Sequence, residues 1–295
     1  MSTDIHAGDG PGIAPARPVP PAAKPPTGWG RVRKVMRGRI GTTIGVTLFG
    51  VLCLLIWQGV YHAEVVSHFV LPSASATMKE VWDIGWATFT GGTYLEATIL
   101  TMEEIAIGFA LAAVTGIGLG IILGETVFGR KILMPYVVAF NSMPKVAFAP
   151  LFVAWLGFGT APKILLAAVV AFFPVVINTA VGIESCSTNE LTLFRAIEAT
   201  RWQTLWRLKF MTALPFVFAG LKTAAVLSVI GAVVAEFLSG GTGGLGRQIA
   251  IASLYLRTDH VFALIVILSL LGLLVYLIVV VAERRIVHWN RPDGG

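Results

Sequence analysis

Charge is scarce in this chain. Asp, Glu, Lys and Arg make up 13% of its 295 residues, against about 25% in an ordinary soluble domain. No soluble fold has a surface that could be covered by so few charges. Cysteine is scarcer still. Cys53 and Cys186 are the only two, too far apart for a C-x-x-C metal or redox pair. Cys53 lies in an apolar run and Cys186 in a polar stretch, which argues against a disulfide. The five histidines (His6, His62, His68, His260 and His288) form no H-E-x-x-H or other close ligand set. Metal and intramembrane-protease chemistry therefore has no support. Alternation of apolar and polar residues over about ten positions, the mark of a membrane β-barrel strand, is also missing.

Two glycine motifs point to nucleotides only on the surface. Gly241-Thr-Gly243-Gly-Leu-Gly246 fits G-x-G-x-x-G. A dinucleotide site would need a preceding strand and a βαβ unit, whereas this motif follows a long apolar run. Gly124-Glu-Thr-Val-Phe-Gly129 has the spacing of a phosphate-binding loop but is followed by Arg130-Lys131 rather than Lys-Ser/Thr. No catalytic residues, metal ligands or cofactor-binding residues emerge, and the chain reads as a non-enzyme.

What is present is apolar. Hydrophobic residues other than glycine account for 56%, with 32 Gly besides, and the mean hydropathy is +0.80. Spanning a bilayer takes about 20 mostly apolar residues. Six segments qualify, at about 42–62, 96–124, 132–157, 162–183, 214–238 and 260–283. The fold class is therefore an all-α polytopic membrane protein with about six transmembrane helices. Residues 1–40 read as a disordered Pro/Ala-rich basic tail, 41–289 as the transmembrane domain and 290–295 as a C-terminal tail. The run Ile44–Val60 is longer than a signal-peptide core and no small-residue cleavage site follows it. Between the first two spans, 63–95 reads as a turn and a short amphipathic helix, with Trp82 and Trp86 at headgroup level.

The net charge of +6 is local. Residues 1–40 carry seven basic and two acidic side chains. This run lies just before an apolar segment, so it reads as a membrane-orienting anchor and not as a nucleic-acid site. With the N-terminus inside, sixteen Lys and Arg fall in inner segments and four in outer ones. Positive charge is retained on the cytoplasmic side. Both termini are predicted to be cytoplasmic, in a multi-pass protein of the cell (inner or plasma) membrane.

Within the spans, Gly116, Gly120 and Gly124 recur every four residues. This spacing either lets two helix backbones approach closely or reflects the abundance of glycine in membrane helices. Pro135, Pro144 and Pro150 interrupt the third span. Breaks in lipid are tolerated where protein or a water-filled cavity covers them, so this segment is expected at the pathway or at a dimer centre. Pro144, Lys145, Asn178, Thr179 and Glu236 are candidate pathway residues. Lys145 either faces a passing anion, snorkels along a broken helix or pairs with a carboxylate such as Glu236. Glu236 itself lines the path or serves as a structural carboxylate near the outer interface. Asn178 and Thr179 line the path or hydrogen-bond between helices.

The longest inner loop, 184–213, holds Leu191, Phe194, Ile197 and Leu205 at helical spacing beside charges, an amphipathic pattern. A helix here, from about Glu190 to Trp206, either lies on the membrane or offers its face to a soluble partner. Arg201, Trp202 and Trp206 are side chains of the kind that anchor interfaces.

The stretch 134–182, MPYVVAFNSMPKVAFAPLFVAWLGFGTAPKILLAAVVAFFPVVINTAVG, resembles the permease subunits of ABC importers for nitrate, sulfonate and taurine. The likeness continues through RWQTLWR (201–207), ALPFVFAGLKTA (213–224), VVAEFL (233–238), GGLG (243–246) and AERRIVHW (282–289), from about Leu71 to Trp289. The resemblance implies a type I importer permease without catalytic residues, paired with a second permease copy. It further implies a cytosolic ABC ATPase dimer, which binds ATP and Mg, and an extracytoplasmic solute-binding protein. The solute implied is a small organic or inorganic anion such as a sulfonate, taurine, nitrate or an aromatic carboxylate. Glu190, Phe194, Arg195, Glu198, Arg201, Trp202 and Trp206 become the ATPase-docking residues. The chain departs from the family pattern in its docking loop. Thr192, Leu193 and Phe194 replace the usual Glu-Ala-Ala, Glu198 stands where glycine is usual, and Phe210-Met211 replace Leu-Pro. Glu104 replaces a family arginine near the start of the second span. The rival reading from residues alone is a stand-alone secondary transporter or channel, for which Glu236 and Glu104 would be the intramembrane carboxylates.

Overall fold

The computed structural model describes residues 28–64, 66–67, 70–238 and 243–289, with side chains from residue 43 onward. Eleven α-helices are found among them: α1 (Gly28–His62), α2 (Ala74–Thr90), α3 (Thr93–Glu125), α4 (Met134–Asn141), α5 (Ala149–Leu156), α6 (Ala161–Glu184), α7 (Thr188–Ala196), α8 (Arg201–Thr204), α9 (Phe210–Leu238), α10 (Leu245–Leu254) and α11 (Thr258–Ile286). The chain divides into two compact units, Met1–Ile56 and Trp57–Gly295, with the boundary inside α1. Helix begins at Gly28, within the stretch read from composition as a disordered tail. Past Pro26 the sequence has no proline until Pro72, so nothing there breaks a helix. Residues 1–27 lie outside the described residues, as do 290–295.

Among the described residues five helices are long and apolar enough to cross a membrane, and the pair α4–α5 makes a sixth if counted as one bent span. The two halves of that pair meet at 78°. Of the three prolines in this segment only Pro144 sits at the break. Pro135 and Pro150 sit just after the joins at which α4 and α5 continue from the turns Gly129–Leu133 and Lys145–Phe148, away from the bend. The expectation that all three interrupt the span is thus corrected to one. Both α4 and α9 are entered through one wide helical turn, Gly129–Leu133 and Leu205–Lys209 respectively.

Helix α6 is the centre of the second unit, packed against α3 on one side and α9 on the other. Glycine permits the α3 contact. A Cβ on Gly116 would lie 2.8 Å from Val175 Cβ, one on Gly120 2.5 Å from Thr179 Cβ, and one on Gly124 2.8 Å from the Ala180 carbonyl. Gly108 continues the row against Ala167. The four-residue spacing is therefore a packing seam. Where hydrocarbon surrounds the protein, close backbone approach replaces the hydrophobic effect as the source of helix association.

Helix α2 is N-capped by Ser73, whose hydroxyl accepts from Ala76 N. Its polar face is pinned to other helices. Glu80 accepts from Arg257 at 3.1 Å and meets His260 Nδ1 at 2.6 Å, while His260 Nε2 meets the Tyr94 hydroxyl at 3.0 Å. Trp82 and Trp86 point away, exposed, as the amphipathic pattern requires.

Candidate functional site: a docking loop and a buried ionic cluster

The loop after α6 is built by two capping boxes. Ser187 Oγ accepts from Glu190 N, and Glu190 Oε2 accepts from Ser187 N at 2.9 Å. Thr200 and Gln203 repeat the arrangement thirteen residues on. Each cap satisfies backbone donors that a helix start leaves free. The backbone N–H and the hydroxyl of Ser187 hold the Glu190 carboxyl below the usual carboxylate range. Burial pushes the Cys186 thiol next to it up.

These caps correct one expectation. The segment from Glu190 to Trp206 is two short helices, not one. α7 stops at Ala196, and α8 starts after Thr200. Between them Glu198 adopts φ +56°. Its N–H donates to Arg195 O and that of Ala199 to Phe194 O, both at 3.0 Å, which closes α7 with a left-handed turn. Glycine takes this conformation most easily, which accounts for the expectation, drawn from the resemblance, of glycine where Glu198 stands. Leu193, Ile197 and Trp202 are each more than 60% exposed. Trp202 and Trp206 meet edge to face, with centroids 5.7 Å apart. Arg195, Glu198 and Arg201 are exposed and Phe194 half-buried. Six of the seven expected docking residues therefore lie in the α7–α8 loop, and Trp206 lies in the wide turn Leu205–Lys209 that follows it. At the same end of the bundle Lys209 pairs with Glu125 at 2.7 Å and Lys222 with Glu283 at 2.9 Å.

The five candidate pathway residues do not form one site. Lys145 lies in the α4–α5 break. Its Nζ donates to Asn141 O at 2.6 Å and to Asn141 Oδ1 at 3.2 Å, and sits 5.0 Å from the centre of the Phe173 ring. A cation at the C-terminal end of α4 is favourably placed. Pro144 is exposed beside it. Asn178 Nδ2 donates to Pro174 O within α6 at 2.8 Å. Thr179 is buried in the glycine seam. Glu236 is also fully buried, in a different cluster at the opposite end of the bundle from the docking loop.

That cluster joins four helices. Glu104 of α3 and Lys163 of α6 form an ion pair at 2.9 Å, with 0% and 1% of their side chains exposed. Glu236 of α9 accepts from Thr101 Oγ1 at 2.7 Å through one oxygen and from Gly246 N through the other. Thr101 in turn accepts from Leu245 N at 2.9 Å. The start of α10 is thus held by a carboxylate and a hydroxyl that satisfy its first N–H groups. A Cβ on Gly244 would collide with the Glu236 carboxyl, which is the structural use of the glycine-rich motif. Gly241 and Thr242 lie outside the described residues. Lys163 lies inside α6, within the expected span 162–183, and nothing in the sequence signalled its pairing with Glu104.

Amphipathic loop, glycine seam, broken helix and buried ionic cluster together define a polytopic helical membrane protein. The chain belongs to the family described as binding-protein-dependent transport system inner membrane component, whose model matches residues 116–288. It is 32% identical over 260 residues to the riboflavin transport system permease protein RibX of Chloroflexus aurantiacus, covering 88% of this chain and 95% of that protein. It is 33% identical over 266 residues to the putative aliphatic sulfonates transport permease protein SsuC of Bacillus subtilis, covering 89% and 93%. Among solved structures, a chain of the MetNI methionine ABC transporter in an inward-facing conformation superposes with a TM-score of 0.55. That match covers 66% of this chain and 96% of that one at 19% identity, and it shows a shared fold. The expected type, a permease of the ABC importers related to the nitrate, sulfonate and taurine systems, is therefore established.

Proposed function

We propose that this chain forms the membrane pathway of an ATP-driven importer, as one of two permease copies. A cytosolic ATPase dimer docks on the α7–α8 loop of each copy and supplies the ATP-Mg chemistry. An extracytoplasmic binding protein delivers a small solute, most simply an organic or inorganic anion such as a sulfonate, taurine, nitrate or an aromatic carboxylate. Both termini and the α7–α8 loop face the cytosol, in keeping with the distribution of Lys and Arg.

The observation that carries this reading is the exposure of Leu193, Ile197 and Trp202 on a rigid, doubly capped loop. Apolar and aromatic side chains held in fixed geometry and left uncovered suit a partner's pocket. The bent α4–α5 pair supports a second permease copy, because it exposes Tyr136, Phe140 and Trp155. ATP can drive the cycle only if the ATPase binds the outward-open and inward-open states with different free energies. In that cycle Lys145, at the break in a helix, would offer a cation to a passing anion.

The test is solute uptake by liposomes holding the permease, its genomically adjacent ATPase and its binding protein. Uptake is expected only with internal ATP and the binding protein together. Uptake by the permease alone, driven by an ion gradient, would overturn the proposal.

A further inference from the structure

The segment that joins α3 to α4 is held by both ends of the docking loop. Glu125, the last residue of α3, accepts from Lys209 Nζ at 2.7 Å, and both side chains are partly buried. Lys209 closes the wide turn Leu205–Lys209, through which the docking loop passes into α9. Arg130, in the wide turn that enters α4, has its Nε 3.7 Å from Glu184 Oε1. Glu184 is the last residue of α6, where the docking loop begins. This second pair is longer and more exposed than the first. Apolar packing reinforces the hold at Lys209. Leu205 is buried in a cluster with Ile183 of α6, against which Ile117 and Ile121 of α3 pack.

The connection so held is stiff. Thr126 Oγ1 accepts from Gly129 N at 3.0 Å and donates to Ile122 O at 2.9 Å. A Cβ on Gly129 would lie 2.7 Å from Leu123 Cα, so the turn into α4 rests on the last turn of α3. Met134 and Val137 of α4 pack against the cluster of Leu123, Val176 and Ala180. A displacement of the end of α3 is therefore carried into α4 and towards the break at Pro144. The docking loop runs from α6 to α9 and has no direct peptide link to this segment. Apolar contact between α4 and α6 is non-directional and lets surfaces slide, whereas a charged hydrogen bond fixes one atom to another. Other charges at this end are engaged elsewhere or exposed. Lys222 pairs with Glu283 and Glu190 caps α7, while Lys131 and Arg207 are exposed.

Resting on the ATPase docking proposed above, we infer that the Lys209–Glu125 pair, with Arg130–Glu184 beside it, is the strut that carries movement of the docking loop into α3 and the broken α4–α5 pair. Lys209 and Glu125 are positioning residues, bound to each other and set apart from the exposed docking side chains. Ion pairs open to solvent contribute little to stability. Breaking this one therefore leaves the protein folded and separates ATPase binding from transmission.

An environment-sensitive fluorophore on α4 tests this without knowledge of the solute. Val138 is exposed and lies on the other face of α4 from Tyr136 and Phe140 by helical spacing. Bimane is attached to the Val138→Cys thiol in a Cys53→Ser/Cys186→Ser background. This permease is assembled in nanodiscs with its genomic ATPase and binding protein, and emission is read before and after ATP with vanadate. With the pair intact, the emission maximum should shift. Lys209→Glu and Glu125→Lys should each keep the bound ATPase and its ATP hydrolysis and lose the shift, and Lys209→Glu/Glu125→Lys should regain it. A shift that persists in the single variants, or one not regained by the exchange, would overturn the inference. So would release of the ATPase by the single variants alone, because the pair would then shape the docking surface. Absence of bound ATPase with the pair intact would instead refute the docking reading itself.

Discussion

The least ordinary residues of this chain are ionisable side chains in places that disfavour them. Lys163 is fully buried in α6 and paired with Glu104. Removing one partner of such a pair leaves an uncompensated charge, at a cost of about 3–5 kcal/mol. Lys163→Met is therefore expected to lower the thermal unfolding midpoint markedly in detergent or nanodiscs, and Lys163→Met/Glu104→Gln to recover much of the loss. A double variant no more stable than the single one would show that the pair is not what Lys163 contributes. Glu198 makes the opposite case. It is exposed and held at φ +56°, a conformation that costs a residue with a Cβ roughly 1–2 kcal/mol. Glu198→Gly should relieve part of that, raising stability by about 1 kcal/mol without unfolding α7, as followed by the same unfolding midpoint. The sequence alone showed Glu198 as a departure from a glycine. It did not show why glycine belongs there, because a backbone angle is a property of the turn and not of any spacing.

At the level of elements, the contact between α3 and α6 is set by glycines whose hydrogens leave room for Val175, Thr179 and Ala180. Gly120→Val adds a branched side chain where even a Cβ would lie 2.5 Å from Thr179 Cβ. Overpacking of this kind costs about 1–3 kcal/mol, and the expected result is a lower unfolding midpoint than for Gly118→Val. Gly118 has open space around its Cβ position and is the control. The start of α7 depends on Glu190 being ionised. Its carboxyl is held below the usual range by the Ser187 N–H and hydroxyl. A carboxyl lowered on folding stabilises fully above its ordinary pKa, and the contribution is lost as pH falls through the lowered value. Exchange protection of the Ser187 amide, compared with Ser142 as reference, should therefore fall in acid. Glu190→Gln should show no such step, and an identical profile in both proteins would contradict the role of the cap. The amphipathic pattern made this loop legible before the structure. The break at Ile197–Thr200 was not, because Leu191 through Leu205 keep a helical period across it and only the second capping box interrupts them.

At the scale of the molecule, the spans were legible because about 20 apolar residues in a row have few alternatives in lipid. The helical class follows from hydropathy, and the family follows from many short blocks in a fixed order. The buried cluster was less accessible, since Thr101, Glu104, Lys163, Glu236 and Gly246 come from four helices and no local spacing relates them. Lys145 was singled out by its position mid-span, yet the structure gives it a local partner in Asn141. The central claim is that the α7–α8 loop delivers the ATPase's work to the membrane helices. It is tested most directly by affinity purification of this permease, co-expressed with its genomic ATPase, from membranes. Wild type should retain the ATPase and its ATP hydrolysis. Arg201→Ala/Trp202→Ala should reach the membrane in equal amount and lose both, and undiminished ATPase binding and ATP-dependent uptake by that variant would contradict the account.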